Sequence, residues 1–331
     1  MTELRVALVG FGSMGQNHAR VLQSLSGVNL VSIVDPKKAG LYWSGHHVMS
    51  TLDQALSSGI DYAIVATPTS THLPICLRLA EERIPTLVEK PLALTIEDAE
   101  KIGVAYRQNG TKCAAGHIER FNAAMIESKK RIEDGIIGQL LQIATRRQSH
   151  YPSRVGDVGV VLDLASHDID STLWLTGSNY SSLSATGLAQ FDVRREDLVS
   201  VTAKLDSGVV VNHLVNWLSP IKERKFVILG EEGSLEIDSL TSDLTFFAHG
   251  QVQTRWSYLA NIRGPSEGEV TRFSFVKPEP LLTEHEIFRD YILGRSDQAV
   301  SLDSALNVMR VAELIFTSLA AQTQAEHTDR T

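Results

Sequence analysis

Cysteine is nearly missing from this chain. Cys76 and Cys113 are the only two, without C-x-x-C spacing, which excludes a disulfide framework and reads as buried free thiols in a predicted helix and strand. No apolar run approaches the roughly 18 residues of a membrane span, and no basic, apolar or cleavable leader precedes the first strand. Both absences suit a cytoplasmic protein. Excess positive charge is missing too: the formal net charge of −8 opposes broad binding to nucleic acid or an anionic membrane, so an anionic ligand needs a local basic cluster. There is no H-E-x-x-H, His46 and His47 sit side by side in a loop, and neither cysteine has a close histidine, so no metal site is expected. A G-x-S-x-G elbow is also absent, which argues against hydrolysis by a serine nucleophile. Repeats and low-complexity segments are lacking, and the polar tail from Gln322 to Thr331 is expected to fray.

What is present starts at once. The 331 residues, 43% of them hydrophobic, allow two packed cores. An apolar run, Val6 to Val9, leads into Gly10, Gly12 and Gly15, which match G-x-G-x-x-G. The first glycine permits the tight turn, the second lets a pyrophosphate approach the backbone, and the third lets helix and strand pack closely. The helix that follows offers its N-terminus to an anion. A second apolar run, Leu30 to Val34, ends in Asp35, twenty residues beyond Gly15, where an acid can accept both ribose hydroxyls of an adenosine.

Further strands follow at Tyr62–Ala66, Thr86–Val88 and Cys113–Gly116, separated by helical stretches near Ser50–Ser57, Thr69–Arg83 and from the Thr95/Asp98 capping box to about Gln108. This alternation predicts right-handed crossovers and a parallel, doubly wound sheet. Ligands of such sheets lie beyond the carboxyl ends of the strands, which carry Gly10 to Gly15, Asp35, Thr67 with Pro68, Glu89 to Pro91, and Gly116 with His117. Past Arg120 the pattern changes. A helix near 122–133, a strand at 140–148 and a helix near 161–175 precede a run of short β-branched strands at 183–191, 200–205, 209–217, 225–229, 234–237 and 244–248, read as an antiparallel sheet. Helices near 284–293 and 302–319 close the chain, and the expected domains are residues 1–120 and 121–331.

Three constellations carry chemistry. Lys90, between Glu89 and Pro91 at a strand's carboxyl end, points its amine towards the nicotinamide end of a bound cofactor; a surface salt bridge is the alternative. Asp163 and His167 are four apart on a predicted helix, so a carboxylate can orient an imidazole there, unless the pair is a satisfied core histidine or a surface pair. Asp168 and Asp170 are more ambiguous, Asp170 lying on roughly the Asp163 face. Arg146, Arg147, His150, Tyr151 and Arg154 form a basic and aromatic cluster that is either an anion site or a solvated edge; strand alternation puts Arg146 and Arg147 on opposite faces.

With these residues in view, the chain resembles the Gfo/Idh/MocA oxidoreductases over nearly its full length. Gly10, Gly12, Gly15, Asp35, the Thr67, Pro68 and His72 segment, Glu89–Lys90–Pro91, and Asp163 with His167 and Asp170 match in order and spacing. The resemblance implies an α/β fold: an N-terminal Rossmann domain binding the cofactor, and a C-terminal α+β domain with a large, mainly antiparallel open sheet that binds substrate and builds a homodimer or homotetramer. It implies Lys90, Asp163 and His167 as the catalytic trio. Cofactor contacts are expected from Gly10, Phe11, Gly12, Ser13, Met14, Gly15, Asp35, Thr67, Pro68, His72, Glu89 and Lys90. Substrate contacts are expected from Lys90, His117, Arg120, Tyr151, Arg154, Asp163 and His167. NAD is the implied cofactor, with NADP possible because Lys37 and Lys38 follow Asp35.

Within the family, His117 to Asn122 and Gly156 to Asp170 look most similar to nucleotide-sugar dehydrogenases of the UDP-N-acetylglucosamine 3-dehydrogenase type, although Ala123 stands where such relatives often have proline. The implied reaction is hydride transfer between a sugar ring carbon, C3 of a UDP-linked N-acetylamino sugar as first choice, and nicotinamide. An inositol or free-sugar dehydrogenase is the alternative, and a non-catalytic dinucleotide-binding regulator the second. The expected partner is a small-molecule sugar or nucleotide sugar.

Overall fold

The computed structural model describes residues 3–152, 158–192, 195–250 and 267–328. The chain divides into two compact units, one of residues 1–118 with 279–310, the other of residues 119–278 with 311–331.

The first unit is built on a seven-stranded sheet. Its strands are β1 (Leu4–Val9), β2 (Val28–Val34), β3 (Tyr42–Trp43), β4 (His46–Met49), β5 (Tyr62–Val65), β6 (Thr86–Glu89) and β7 (Cys113–Gly116), in the order β3-β4-β2-β1-β5-β6-β7. Every pairing is parallel except β3 with β4 at the edge. Val6, Leu8, Ile33, Ile64 and Val88 are fully buried, as continuous apolar strands covered on both faces require. Each such side chain contributes roughly 1.5–3 kcal/mol by leaving water. The crossovers carry α1 (Ser13–Ser24), α2 (Leu52–Ser57), α3 (His72–Glu81) and α4 (Ile96–Gln108). Thr51 and Gln54 cap α2 reciprocally, and Thr95 Oγ1 accepts the Asp98 N–H at 3.2 Å to start α4. His46 and His47, expected in a loop, lie in β4, whose Val48 is buried opposite Ile33.

The second unit has α5 (Ala123–Glu133), β8 (Leu140–His150), a π-helical turn at Val161–Ala165 running into α6 (Ser166–Thr176), then β9 (Tyr180–Leu188), β10 (Leu198–Leu205), β11 (Val210–Asn216), β12 (Leu218–Gly230), β13 (Gly233–Asp238), β14 (Asp243–His249) and β15 (Glu267–Arg272). The eight strands order as β15-β14-β13-β12-β8-β11-β10-β9, antiparallel throughout except for the parallel β8–β11 pair. One face buries Ile143, Thr145, Arg147, Val201, Phe226 and Ile237; the other exposes Arg146 and Val227. β12 is longer than the expected 225–229, because its first half carries Pro220 and three charged residues, a composition that reads as loop.

The chain then yields α7 (Pro280–Ile292) and α8 (Leu302–Thr328). Residues 279–310 count with the first unit, whereas the sequence placed them with residues 121–278. Phe288 of α7 is buried with its ring 5.8 Å from that of Tyr62, and Ala115 N–H bonds Val300 C=O at 3.0 Å. The sequence predicts this helix near 284–293 without naming what it packs against. The tail expected to fray from Gln322 is helical to Thr328, and Gln322 Nε2 donates to Thr186 Oγ1 at 2.9 Å. Over Leu302–Gln322 the helix is long and apolar enough to match a membrane span by composition, yet Ala305, Leu306, Val308, Ala312 and Ile315 are buried inside the protein.

Candidate functional site

The three glycines of the first loop divide their work as steric arguments require. Gly10 has φ +98°, and a Cβ there would meet Ala66 O at 2.4 Å; a Cβ on Gly15 would lie 2.1 Å from Gly10 O. At Gly12 a Cβ would meet nothing within 4 Å, so open space lies in front of the second glycine, where a pyrophosphate needs to approach. α1 begins at Ser13 with no side-chain cap and no acid in its first turn. Its orphan N–H groups are therefore available to an anion. Phe11 is buried and its ring meets Trp43 edge-on, which fixes the loop, while Ser13 and Met14 lie on the first turn.

Asp35 sits at the end of β2, one carboxylate oxygen accepting Phe11 N–H at 3.0 Å and the other Lys37 N–H at 2.9 Å. An ionised carboxylate has about four lone-pair directions, so each oxygen retains one for a ribose hydroxyl. Lys38 Nζ bonds Phe11 O at 2.6 Å and lies 5.3 Å above the Phe11 ring, which ties this lysine to the loop.

At the end of β5, Thr67 Oγ1 accepts from Thr71 Oγ1 at 2.8 Å, and Pro68 is exposed. His72, expected at the cofactor, is buried and acts between loops: Nε2 lies 3.0 Å from Thr67 O and Nδ1 3.1 Å from Pro91 O. Burial lowers its pKa despite these carbonyls. Glu89, also expected at the cofactor, points into the interior, where Oε1 lies 2.9 Å from His18 Nε2; Lys90 itself is half-buried at the strand's end. His117 is buried just beyond β7.

In the second unit, Asp163 lies on the π-helical turn and His167 on the first turn of α6, both 8% exposed and one turn apart. Such π turns are frequent at functional sites. The segment is held at its start by Glu196, whose Oε1 accepts Val161 N–H at 3.0 Å. A Cβ at Gly159 would fall 2.3 Å from that oxygen, so any larger residue there has to displace the Glu196 carboxylate.

Asp168 and Asp170 are held in buried ion pairs. Asp168 accepts from Arg147 Nε at 2.7 Å and from Thr145 Oγ1 at 2.9 Å, and Arg147 reaches Glu119 at 3.0 Å. Burial pulls the Arg147 pKa down, but the Asp168 and Glu119 carboxylates outweigh it and raise it above its ordinary value. Thr145 also meets His213, which burial and then Arg147 push down to about 3, and whose Nε2 lies 2.7 Å from Tyr180 Oη. Asp170 takes Arg120 in a bidentate pair at 2.8 and 2.6 Å. Arg120, expected to contact substrate, is thus committed to the helix that carries His167.

The basic cluster does not assemble among the described residues. Arg147 is buried in its ion pairs, and Arg146 lies on the opposite face beside Glu223 at 3.5 Å. Tyr151 is 40% exposed and stacks edge-on against Phe191 and Trp217. Arg154 and Gly156 lie outside the described residues. His18, Glu119 and Glu196 were missed by the sequence reading; a histidine on the apolar face of α1, three residues after Gly15, was the one signal available.

Two family models match the chain. One, described as an oxidoreductase family with an NAD-binding Rossmann fold, covers residues 4–117; the other, the GFO/IDH/MocA C-terminal domain, covers residues 125–236. The scyllo-inositol 2-dehydrogenase (NAD(+)) of Bacillus subtilis is 29% identical over 258 residues, which are 72% of this chain and 75% of that protein. The UDP-N-acetylglucosamine 3-dehydrogenase of Acidithiobacillus ferrooxidans is 25% identical over 252 residues, 76% of this chain and 79% of that protein. A solved structure of the latter protein, GnnA, has the same fold, with a TM-score of 0.82 at 22% identity over 97% of this chain and 99% of that one.

Proposed function

The chain belongs to the Gfo/Idh/MocA oxidoreductase family, and from that premise we propose that it oxidises a secondary alcohol on a sugar or cyclitol ring with NAD. The observation that carries this reading is the row of groups along one sheet edge: the open Gly12 loop, Asp35 and Lys90, each at a strand's carboxyl end. When bound, NAD supplies the hydride acceptor. The α1 N-terminus and the Gly10–Gly15 backbone hold the pyrophosphate, and Asp35 accepts from the adenosine ribose. Thr67, Pro68 and His72 shape the next loop. His167 takes the hydroxyl proton as general base, Asp163 orients its imidazole, and Lys90 stabilises charge developing on the oxygen. His117 and Tyr151 support the substrate, and Arg120 holds the His167 helix through Asp170. Residues 1–120 serve the cofactor and 121–278 the substrate.

For the substrate we favour an uncharged polyhydroxylated ring of the inositol or free-sugar class. The diphosphate of a nucleotide sugar calls for a basic cluster, and Arg147 is withdrawn into buried ion pairs while Arg146 lies on the opposite sheet face. A UDP-linked N-acetylamino sugar oxidised at C3 is the second reading, supported by the similarity to the Acidithiobacillus enzyme across most of both chains. Screening myo-inositol, scyllo-inositol, free hexoses and UDP-N-acetylglucosamine for NADH formation tests both. Calorimetric binding of UDP alone to the NAD-loaded protein favours the nucleotide sugar; absence of binding favours the polyol. We further propose a cytoplasmic homodimer or homotetramer formed through the exposed sheet face, where Arg146 and Lys225 alternate with Glu223 and Glu236 and suit a self-complementary contact. Sedimentation velocity reads the oligomer directly.

A further inference from the structure

Behind the Lys90 loop, the first unit buries four ionisable side chains to which the proposed reaction gives no role: His18 of α1, Glu89 of β6, and Glu284 and His285 of α7. His18 Nε2 lies 2.9 Å from Glu89 Oε1, and His18 Nδ1 lies 2.8 Å from His285 Nε2. Glu89 Oε2 accepts the backbone N–H of Lys90 at 3.1 Å.

The direction of this chain follows from counting donors. An ionised Glu89 only accepts, so His18 donates from Nε2. If His18 also donated from Nδ1 it would be a cation, and His285 would have to accept at Nε2 and carry its own proton on Nδ1. That Nδ1 is buried and meets no hydrogen-bond partner among the described residues. A buried donor without an acceptor is costly and rare. The neutral arrangement strands no donor: His285 Nε2–H donates to His18 Nδ1, and His18 Nε2–H donates to Glu89. Burial, the larger cause, holds His285 well below its ordinary pKa, which keeps that ring neutral.

Glu284 decides where the negative charge sits. Both its carboxyl oxygens are buried without a partner among the described residues. Burial first, and the Glu89 charge second, push its pKa well above the ordinary carboxyl value. Two buried carboxyls that repel each other do not both ionise. Glu89, with donors from His18 and Lys90, takes the charge, and Glu284 keeps a proton, because an unpartnered buried carboxylate costs far more than an unpartnered buried hydroxyl. The other groups facing Glu89 are the Lys90 amine and, from α3, His72, which burial keeps neutral.

We propose that His18 and His285 are positioning residues for Lys90: a one-way hydrogen-bond chain from His285 through His18 fixes the Glu89 carboxylate, and that carboxylate fixes the Lys90 backbone. The proposal rests on the reading of Lys90 as the group that acts on the substrate oxygen. Two measurements on the full chain test it, and they fail separately. In ¹⁵N-histidine-labelled protein at pH 7, two-bond ¹H–¹⁵N correlations should show His18 and His285 both as neutral Nε2–H tautomers. An imidazolium or an Nδ1–H tautomer at either residue overturns the chain. In the second measurement, His285→Gln keeps a donor towards His18 and His285→Leu removes it. With myo-inositol or UDP-N-acetylglucosamine as the probe, His285→Leu should lower kcat roughly 10–100-fold, the effect of a misplaced catalytic group, with KM and NAD affinity unchanged. His285→Gln should restore most of the rate. Equal losses in the two variants, or no loss in His285→Leu, would overturn the positioning role. If the unaltered protein oxidises none of myo-inositol, scyllo-inositol, the free hexoses and UDP-N-acetylglucosamine, the proposed function falls and with it the role of Lys90, while the tautomers still decide the hydrogen-bond chain.

Discussion

At Lys90 and His167 the proposed chemistry reduces to two side chains whose removal leaves the glycine loop and Asp35 intact. His167→Asn and Lys90→Met should each lower turnover roughly 10²–10⁴-fold, the usual contribution of acid–base catalysis, while NAD binding followed by fluorescence persists. Near-normal turnover in both would send the search to Tyr151 or His117. Asp35 permits a second expectation. Its carboxylate would face a 2′-phosphate with like charge, so NAD should bind more tightly than NADP. Asp35→Ser should shift the NAD-to-NADP affinity ratio about tenfold towards NADP, near the value of one hydrogen bond to a charged group. Tighter NADP binding by the unaltered protein would refute the role of Asp35. These residues can be proposed from the sequence because each belongs to a short local pattern. Arg147 and His18 were not: Arg147 meets Asp168 across 21 positions and His18 meets His285 across 267, and no spacing rule reaches that far.

α1 and its glycines show what local pattern does specify at the scale of an element. The strand, the three glycines and the helix were readable because backbone sterics alone demand them in that order, and the positive φ of Gly10 and the open space at Gly12 supply the reason. Gly15→Ala places a Cβ 2.1 Å from Gly10 O, where backbone has to move. It should cost about 1–3 kcal/mol in denaturant unfolding, as overpacking does, and should weaken NAD binding as well. Unchanged affinity and stability would show that the loop relaxes freely. Elements without a strong period were lost. β3 and β4 are two and four residues long, too short for alternation to register. The π-helical turn before α6 was read as ordinary helix, because apolar spacing there differs little between the two windings and Glu196, which holds its start, comes 35 positions later.

For the whole molecule, alternating strands and helices specified the parallel sheet, and short β-branched strands specified the mainly antiparallel one. What sequence could not specify was the return of residues 279–310 to the first unit. That return brings Glu284 and His285 into a buried, strongly polar region, and it shapes how stability depends on pH. His213 is held at about 3 against an ordinary 6.5, and His72 and His285 are lowered in the same direction by burial. Between those values the unfolded chain binds protons that the folded protein refuses, so stability falls as pH drops below 6.5. Glu284 has the opposite sign. Its folded pKa is raised above 4.5, so the folded protein keeps a proton the unfolded chain has released, and stability falls as pH rises beyond 4.5. Glu284→Gln has nearly the same shape and never ionises. It should leave the melting temperature at pH 4 unchanged and raise it at pH 8, by ~2–4 °C for each kcal/mol relieved. A melting temperature that moves equally at both pH values would mean that Glu284 is ionised in the folded protein, and the single negative charge assigned to Glu89 would then be wrong.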